Sequence, residues 1–267
     1  MIASLGMYDP PWLRAANDAL WQALAERLAH MGISDVPSSL TRDRPLPEIW
    51  TAPDLLLAQT CGYPLMTSLG ESVVPVATPI HDAPGCDGPR HGSMVIVRRG
   101  DPAGTLDDLR GRRAAINSRD SNTGMNLFRA VLAPFAQGAG LFTRVLETGA
   151  HARSLAAVIA GKADVASIDA VTFALLRDRF PGVDRRVRIL ARTPVTPGLP
   201  LVTASSTPAG TVAALRRALG DLIDDPALAP TLRALRLTGF AILDRRDYEA
   251  VTDLEKSAFL AGYPTLC

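Results

Sequence analysis

The stretch 116-INSRDSNTGMNLFRAVLAPF-135 joins two kinds of secondary structure. The run ahead of it, "RRAAIN", reads as a strand, and Met125 to Gln137 read as a helix. Between them lie Ser121, Asn122, Thr123 and Gly124, which either hydrogen-bond readily or leave the backbone unencumbered. The first N–H groups of a helix lack intrahelical partners and carry a partial positive charge. Ser, Asn and Thr side chains cap such an end, and a glycine lets the backbone approach whatever sits there. The same features hold an anion without a cation. Taken alone, the stretch reads most simply as an ordinary N-cap.

The pattern recurs, and recurrence changes the reading. "TRVLET" passes to "HARSLAAVIAGK" through Thr148, Gly149 and His151, and "ADVASI" passes to "DAVTFALLRDRF" with Asp169 at the turn. "RVRILART" adds a further strand. Strands alternating with helices predict a parallel sheet covered on both faces. The three polar turns then share the carboxyl edge of the strands, where ligands of open α/β sheets bind. His151 can also be a plain helix-start histidine, and Asp169 a plain N-cap. As a ligand group, Asp169 would repel a fully ionised anion and tolerate one that keeps a proton or carries an amine.

Working outward, "MIASLGMY" reads as a first strand, followed by a helix carrying Trp12, Ala16, Leu20, Leu24 and Leu28 and ending near Gly32. "PDLLLAQT" is a buried strand, "SVVPVATP" another weakened by Pro75, and "GSMVIVRRG" a strand that opens a new block after "HDAPGCDGPRHG". "LDDLRG" is a short helix. The rhythm breaks at "TPVTPGLPLVT", and the tail holds helices at 208–223, around Leu228–Leu235 and near Tyr248–Leu260. Two α/β lobes are expected, residues 1–91 with 195–267 and an inserted 92–194. The chain would cross between them twice, near 88–92 and 193–198, as a hinge; a third crossing would count against this reading. Tyr8 and Tyr63, two of only four tyrosines, each follow a strand of the first lobe. Each offers an aromatic wall and a hydroxyl, or simply caps the core.

At 267 residues, 47% hydrophobic and 21% charged, the chain can bury a full core, and its net charge of +1 gives no footprint for nucleic acid. No apolar run is long enough to span a bilayer. The N-terminus lacks signal-peptide features, so the reading is either a cytosolic protein or a chain that starts at its mature N-terminus. Cys61, Cys86 and Cys267 fit no zinc spacing. Cys61 and Cys86 sit in glycine-containing turns of one expected lobe, where a disulfide is possible. No GxSxG, HExxH, P-loop or GxGxxG occurs, and no carboxylate pair stands out as general acid and base. No metal, cofactor or catalytic residue is expected.

Together, "DLLLAQTCGYPL", "DDLRGRRAAINSRDSNTGMNLFR", "TGAHARSLAAVIAGKADVASIDAVTFALL" and "TPGLPLVT" resemble the phosphonate/phosphate-type substrate-binding proteins of ABC transporters, which are type II periplasmic binding proteins. The resemblance implies two lobes, each a mostly parallel sheet flanked by helices and joined by a two-strand hinge, with an oxyanion-type ligand held between them. It implies an oxyanion-holding loop at Ser121–Asn122–Thr123 with Gly124, polar positions at His151 and Asp169, and an opposite wall at Tyr8 and Tyr63. It further implies a small anionic ligand, an ABC permease as partner, a monomer, no enzymatic activity and a periplasmic location. The alternative is a cytosolic enzyme on the same fold, of menaquinone- or thiamine-pathway type.

Overall fold

The structure, a computed structural model, describes residues 1–136 and 140–267. Gln137, the expected end of one helix, lies outside the described residues. The chain forms two compact units, Met1–Asp82 with Pro197–Tyr248 and Ala83–Thr196 with Glu249–Cys267. It therefore passes from unit to unit three times, at 82/83, 196/197 and 248/249. This corrects the expected boundaries and the expected pair of crossings. The third passage has a physical reason. Arg129 is buried, and the last segment supplies its acceptors: Pro264 O at 2.6 Å and Glu255 Oε1 at 3.3 Å. Val251 O accepts the Asn126 Nδ2 donor at 2.9 Å. A buried guanidinium without acceptors would be costly, so the terminal helix Glu249–Leu260 packs where they are needed.

The first unit holds a five-stranded sheet in the order Ile2–Ser4, Leu55–Gln59, Leu201–Ala204, Val73–His81, Leu237–Ala241. Among its neighbouring pairs, Ile2–Ser4 with Leu55–Gln59 is parallel, and the other three are antiparallel. "Mostly parallel" is thus corrected for this unit. Pro75 is accommodated where the register of Val73–His81 shifts against Leu201–Ala204, a position at which a missing N–H costs little. The first helix runs Arg14–His30 behind a 3-10 turn at Pro11–Leu13. Its buried face is Leu13, Leu20, Trp21, Leu24 and Leu28, with Asn17. Trp12 is exposed, because steps of four drift off a 3.6-residue period. The Tyr248 hydroxyl is shared with Thr78 Oγ1 at 2.6 Å and donated to Gly198 O at 3.2 Å in the core around Trp50, Leu65 and Val202.

The second unit's sheet runs Val187–Arg192, Ser93–Arg98, Val165–Asp169, Arg112–Ile116, Phe142–Glu147. Arg112–Ile116 is parallel to both of its neighbours, whereas Ser93–Arg98 is antiparallel to both of its own. In the second unit the one strand that runs against the rest, Ser93–Arg98, follows a passage of the chain; in the first unit Leu201–Ala204, which also follows one, and Leu237–Ala241 both run against the other three. No crossover helix precedes Ser93–Arg98 or Leu201–Ala204, so nothing returns them to the amino edge. Helices His151–Ile159 and Ala170–Arg179 bury Leu155, Val158, Phe173 and Leu176 against this sheet.

The expected Cys61–Cys86 disulfide is absent, and both residues are thiols. They were expected in one lobe, but Cys61 is buried in the first unit while Cys86 packs on the core of the second.

Asp164 follows the helix at His151–Ile159 and accepts from Arg113 N at 3.0 Å, Arg113 Nη2 at 2.8 Å and Arg98 Nη2 at 3.3 Å. The Arg113 side chain foremost, against the opposing effect of burial, holds this carboxyl down to about 2. A depressed carboxyl stabilises the fold above its unfolded value and loses that contribution as pH falls through the folded one. Asp164→Asn is therefore expected to lower the melting temperature at pH 7. Its deficit against the unmutated protein should shrink between about pH 4 and pH 2, as read by thermal melts across that range.

Candidate functional site

Four parallel strands of the second unit end at one edge, at Ile116, Glu147, Asp169 and Arg192. The antiparallel strand begins there, Ser93 lying opposite Asp169. The turns carrying Ser121–Gly124, Thr148–His151 and Asp169 accordingly share that edge, as the sequence pattern implies.

The helix mouth is a π turn, Asn122–Asn126, leading into Leu127–Ala136. Asn126 N bonds Ser121 O at 3.0 Å, the i to i+5 step that widens this turn. Ser121 is the N-cap, its Oγ accepting from Gly124 N at 3.0 Å. The Thr123 carbonyl accepts from Ser93 Oγ at 2.7 Å and Ser167 Oγ at 2.8 Å, which fixes the mouth to the sheet beneath it. Asn122 Nδ2 donates to Thr196 Oγ1 at 2.8 Å, and its Oδ1 accepts from Asn126 Nδ2 at 3.1 Å. Asn122 is thus a structural member of the mouth. Gly124 has no room for a side chain: a Cβ there would lie 1.7 Å from Asn117 Oδ1 and 3.0 Å from His151 Cε1.

His151 opens its helix, partly buried, and links two turns. Asp169 N donates to its Nδ1 at 3.5 Å, and its Nε2 lies 3.2 Å from Thr123 Oγ1. Burial pushes its pKa below the ordinary histidine value, opposed by the Asp169 charge. The ring is therefore neutral at pH 7. Asp169 is 1% exposed. Its Oδ1 accepts from Thr172 N at 2.8 Å, and its Oδ2 lies 2.9 Å from His91 Nε2. Burial opposes its ionisation, and it is outweighed by His91, His151 and the Thr172 N–H, so the carboxyl is held far below its usual range.

Ser121 Oγ already accepts from Gly124 N, so the Ser121 hydroxyl has its own hydrogen to give, and Thr123 Oγ1 shares a hydrogen bond with His151 Nε2. The N–H groups of Gly124, Met125 and Asn126 are spent on Ser121, so the donors suited to an anion here are side-chain hydroxyls.

Tyr8 and Tyr63 belong to the first unit. Tyr8 ends the turn Gly6–Tyr8 after the first strand, and Tyr63 lies in Gly62–Met66 after the second. Those strands are parallel neighbours, so both tyrosines lie at that unit's carboxyl edge. The Tyr8 ring meets His81 edge-on at 5.4 Å. His81, His91, Ser93, Asn117, Ser167 and Thr196 were not singled out in the sequence. Two of them are among only four histidines, which is the one cue the composition offered.

Residues 53–248, well over half of the chain, match the family described as "ABC transporter, phosphonate, periplasmic substrate-binding protein". The chain belongs to this family. This substrate-binding protein also has the type II periplasmic-binding fold of its structural relatives. A Pseudomonas aeruginosa binding-protein component of an ABC phosphonate transporter superposes with a TM-score of 0.76 at 16% identity, over 97% of this chain and 86% of that one. A Xanthomonas citri protein bound to chloride ion gives 0.74 at 18%, over 97% of both chains. Prochlorococcus marinus PhnD1 in complex with methylphosphonate gives 0.72 at 13%, over 98% and 97%. No curated protein matches by sequence. The family is one of ABC-transporter binding proteins, which implies a small-molecule ligand, a permease partner and an extracytoplasmic location. Among the described residues no helix is long and apolar enough to cross a membrane, and no His, Cys, Asp or Glu cluster could hold a metal ion.

Gly124→Ala is expected to lower the melting temperature by several degrees, since Asn117 or His151 must move. Gly124→Ala combined with Asn117→Ala should recover part of that loss. A double variant no better than the single one would put the strain elsewhere.

Proposed function

We propose that this substrate-binding protein holds a small tetrahedral oxyanion, phosphonate or phosphate, at the carboxyl edge of the second unit's sheet and presents it to an ABC permease without chemically altering it. The observation that carries the reading is the pair of hydroxyls at the helix mouth: Ser121 Oγ, which accepts from Gly124 N and keeps its own hydrogen to donate, and Thr123 Oγ1, 3.2 Å from His151 Nε2. Ser121 Oγ–H and Thr123 Oγ–H are the ligand's donors. His151 lies behind Thr123, and the Asp169 N–H behind His151. For the first unit, Tyr8 and Tyr63 are proposed as ligand contacts. Family membership favours transport over catalysis, and no acid and base pair converges on the mouth among the described residues.

Two measurements test the reading. Ser121→Ala with Thr123→Val removes two hydrogen bonds to a charged group and should cost about 2 kcal/mol or more of binding to methylphosphonate or inorganic phosphate by calorimetry. Unchanged affinity would remove the helix mouth from the site. The second measurement is pH dependence. His151 is neutral above its depressed pKa, and Asp169 is ionised throughout the neutral range. Neither titrates between about pH 7 and 8.5, so affinity across that window should follow the ligand's own ionisation and not fall as pH rises. An anion stabilises the His151 imidazolium, so the histidine contribution should appear only as pH drops below about 6.5, the ordinary histidine value, and His151→Ala should abolish that acid limb.

A further inference from the structure

The buried carboxylate at this edge is already occupied. Asp169 gives Oδ1 to the Thr172 N–H and Oδ2 to His91, and 1% of the residue meets solvent. His91 is itself 4% exposed and is held by the backbone. The hairpin pairs Cys86 with His91 and Asp87 with Arg90, and Gly92 N closes it onto Gly85 O at 3.1 Å. The turn is made at Gly88, whose φ of +54° suits glycine. The imidazole therefore cannot leave Asp169 without opening the hairpin.

We propose that His91 sets the ligand class of this site: by occupying Asp169 it closes the edge's buried carboxylate to cations and restricts the site to oxyanions that carry no ammonium group. This rests on the oxyanion-binding reading above and names which oxyanions it takes. An ammonium group brings three donors and no acceptor. The side-chain groups that line the mouth are the Ser121 and Thr123 hydroxyls, and Ser121 Oγ already accepts from Gly124 N, so it meets a ligand as a donor. An ammonium placed beside them loses its water and gains no partner, which is costly. Glu147, Asp120 and the hairpin's Asp87 are exposed. Glu147 accepts from Arg119 N at 3.3 Å, and Asp120 is engaged by Ser118. In water such groups attract a cation weakly. Asp169 is the buried carboxylate with the leverage to select an amine, and His91 holds its second oxygen. His91 is a positioning residue: it acts through Asp169.

The test compares ethylphosphonate with aminomethylphosphonate, which have the same number of heavy atoms and differ by a methyl against an ammonium group. Affinities are measured by calorimetry on the full chain at pH 7.5, with inorganic phosphate as a third probe. The unmutated protein should bind ethylphosphonate at least tenfold more tightly than aminomethylphosphonate. His91→Ala, which frees Asp169 Oδ2, should move that ratio tenfold or more toward the amine. His91→Gln can still donate an N–H to Asp169 and should restore the original ratio, which a merely destabilised edge would not do. If His91→Ala is recovered unfolded, His91→Leu replaces it with the same expectation. An unmutated protein that prefers aminomethylphosphonate, or a ratio untouched by the donor-free variant, overturns the proposal. Failure of all three probes to bind the unmutated protein instead overturns the oxyanion reading, and this proposal with it.

Discussion

Taking an ionised carboxylate out of water costs several kcal/mol even after the protein relaxes, and the cost is met only by nearby donors. Asp169 is such a carboxylate, and the edge of the second unit is arranged around it. Its Oδ1 needs the first turn of the helix that follows it, so the chain must turn helical at Ala170. Its Oδ2 needs His91, so the chain entering the unit must fold into the 86–91 hairpin before it joins the sheet opposite Asp169. The N–H of Asp169 meets His151 Nδ1, which fixes the ring flip, and the ring's other nitrogen reaches Thr123. One buried charge thereby couples three turns and the hairpin. None of these segments is adjacent in sequence, but all are neighbours at the edge.

The helix mouth answers a second constraint, the need to hold a widened turn in one place. A carbonyl with two lone pairs can take two donors, and Thr123 O takes two serine hydroxyls that rise from the strands below. Asn126, fully buried, ties Asn122, Arg129 and the terminal helix together. The mouth is thus fixed from the sheet side by Ser93 and Ser167, from the flank by Thr196 and from the far end by the tail. On the proposed reading, a mouth fixed this way loses little freedom when a ligand arrives.

The sequence carried the repeating unit well. Its strand–turn–helix rhythm is local, and the strands Arg112–Ile116, Phe142–Glu147, Val165–Asp169 and Val187–Arg192 and the helices His151–Ile159 and Ala170–Arg179 fall where expected because apolar periodicity decides them. Ser121, Thr123, His151 and Asp169 were legible for the same reason: each lies at the end of a strand or the start of a helix. What could not be read depends on distant partners. Leu201–Ala204 is a central strand of four buried residues, and among prolines it offers no alternation to detect. His91 is defined by Asp169 across a sheet register, and Ser93 and Ser167 by a carbonyl on another element. The transfer of residues 249–267 to the second unit follows from acceptors for Arg129, which no local pattern reveals. The misplaced disulfide followed from the misplaced boundary.

The direction of hydrogen donation at the mouth decides what sort of ligand the edge can meet. Read from sequence, Asp169 is an acceptor facing the ligand, which asks the ligand to bring a proton. In the structure the acceptors are consumed internally. Asp169 faces His91 and Thr172, Ser121 Oγ faces Gly124, and Thr123 Oγ1 faces His151. On the oxyanion reading proposed above, the Ser121 and Thr123 hydroxyls are the ligand's donors, and the burial of Asp169 behind His91 removes the carboxylate that would ask the ligand for a proton if it faced the ligand.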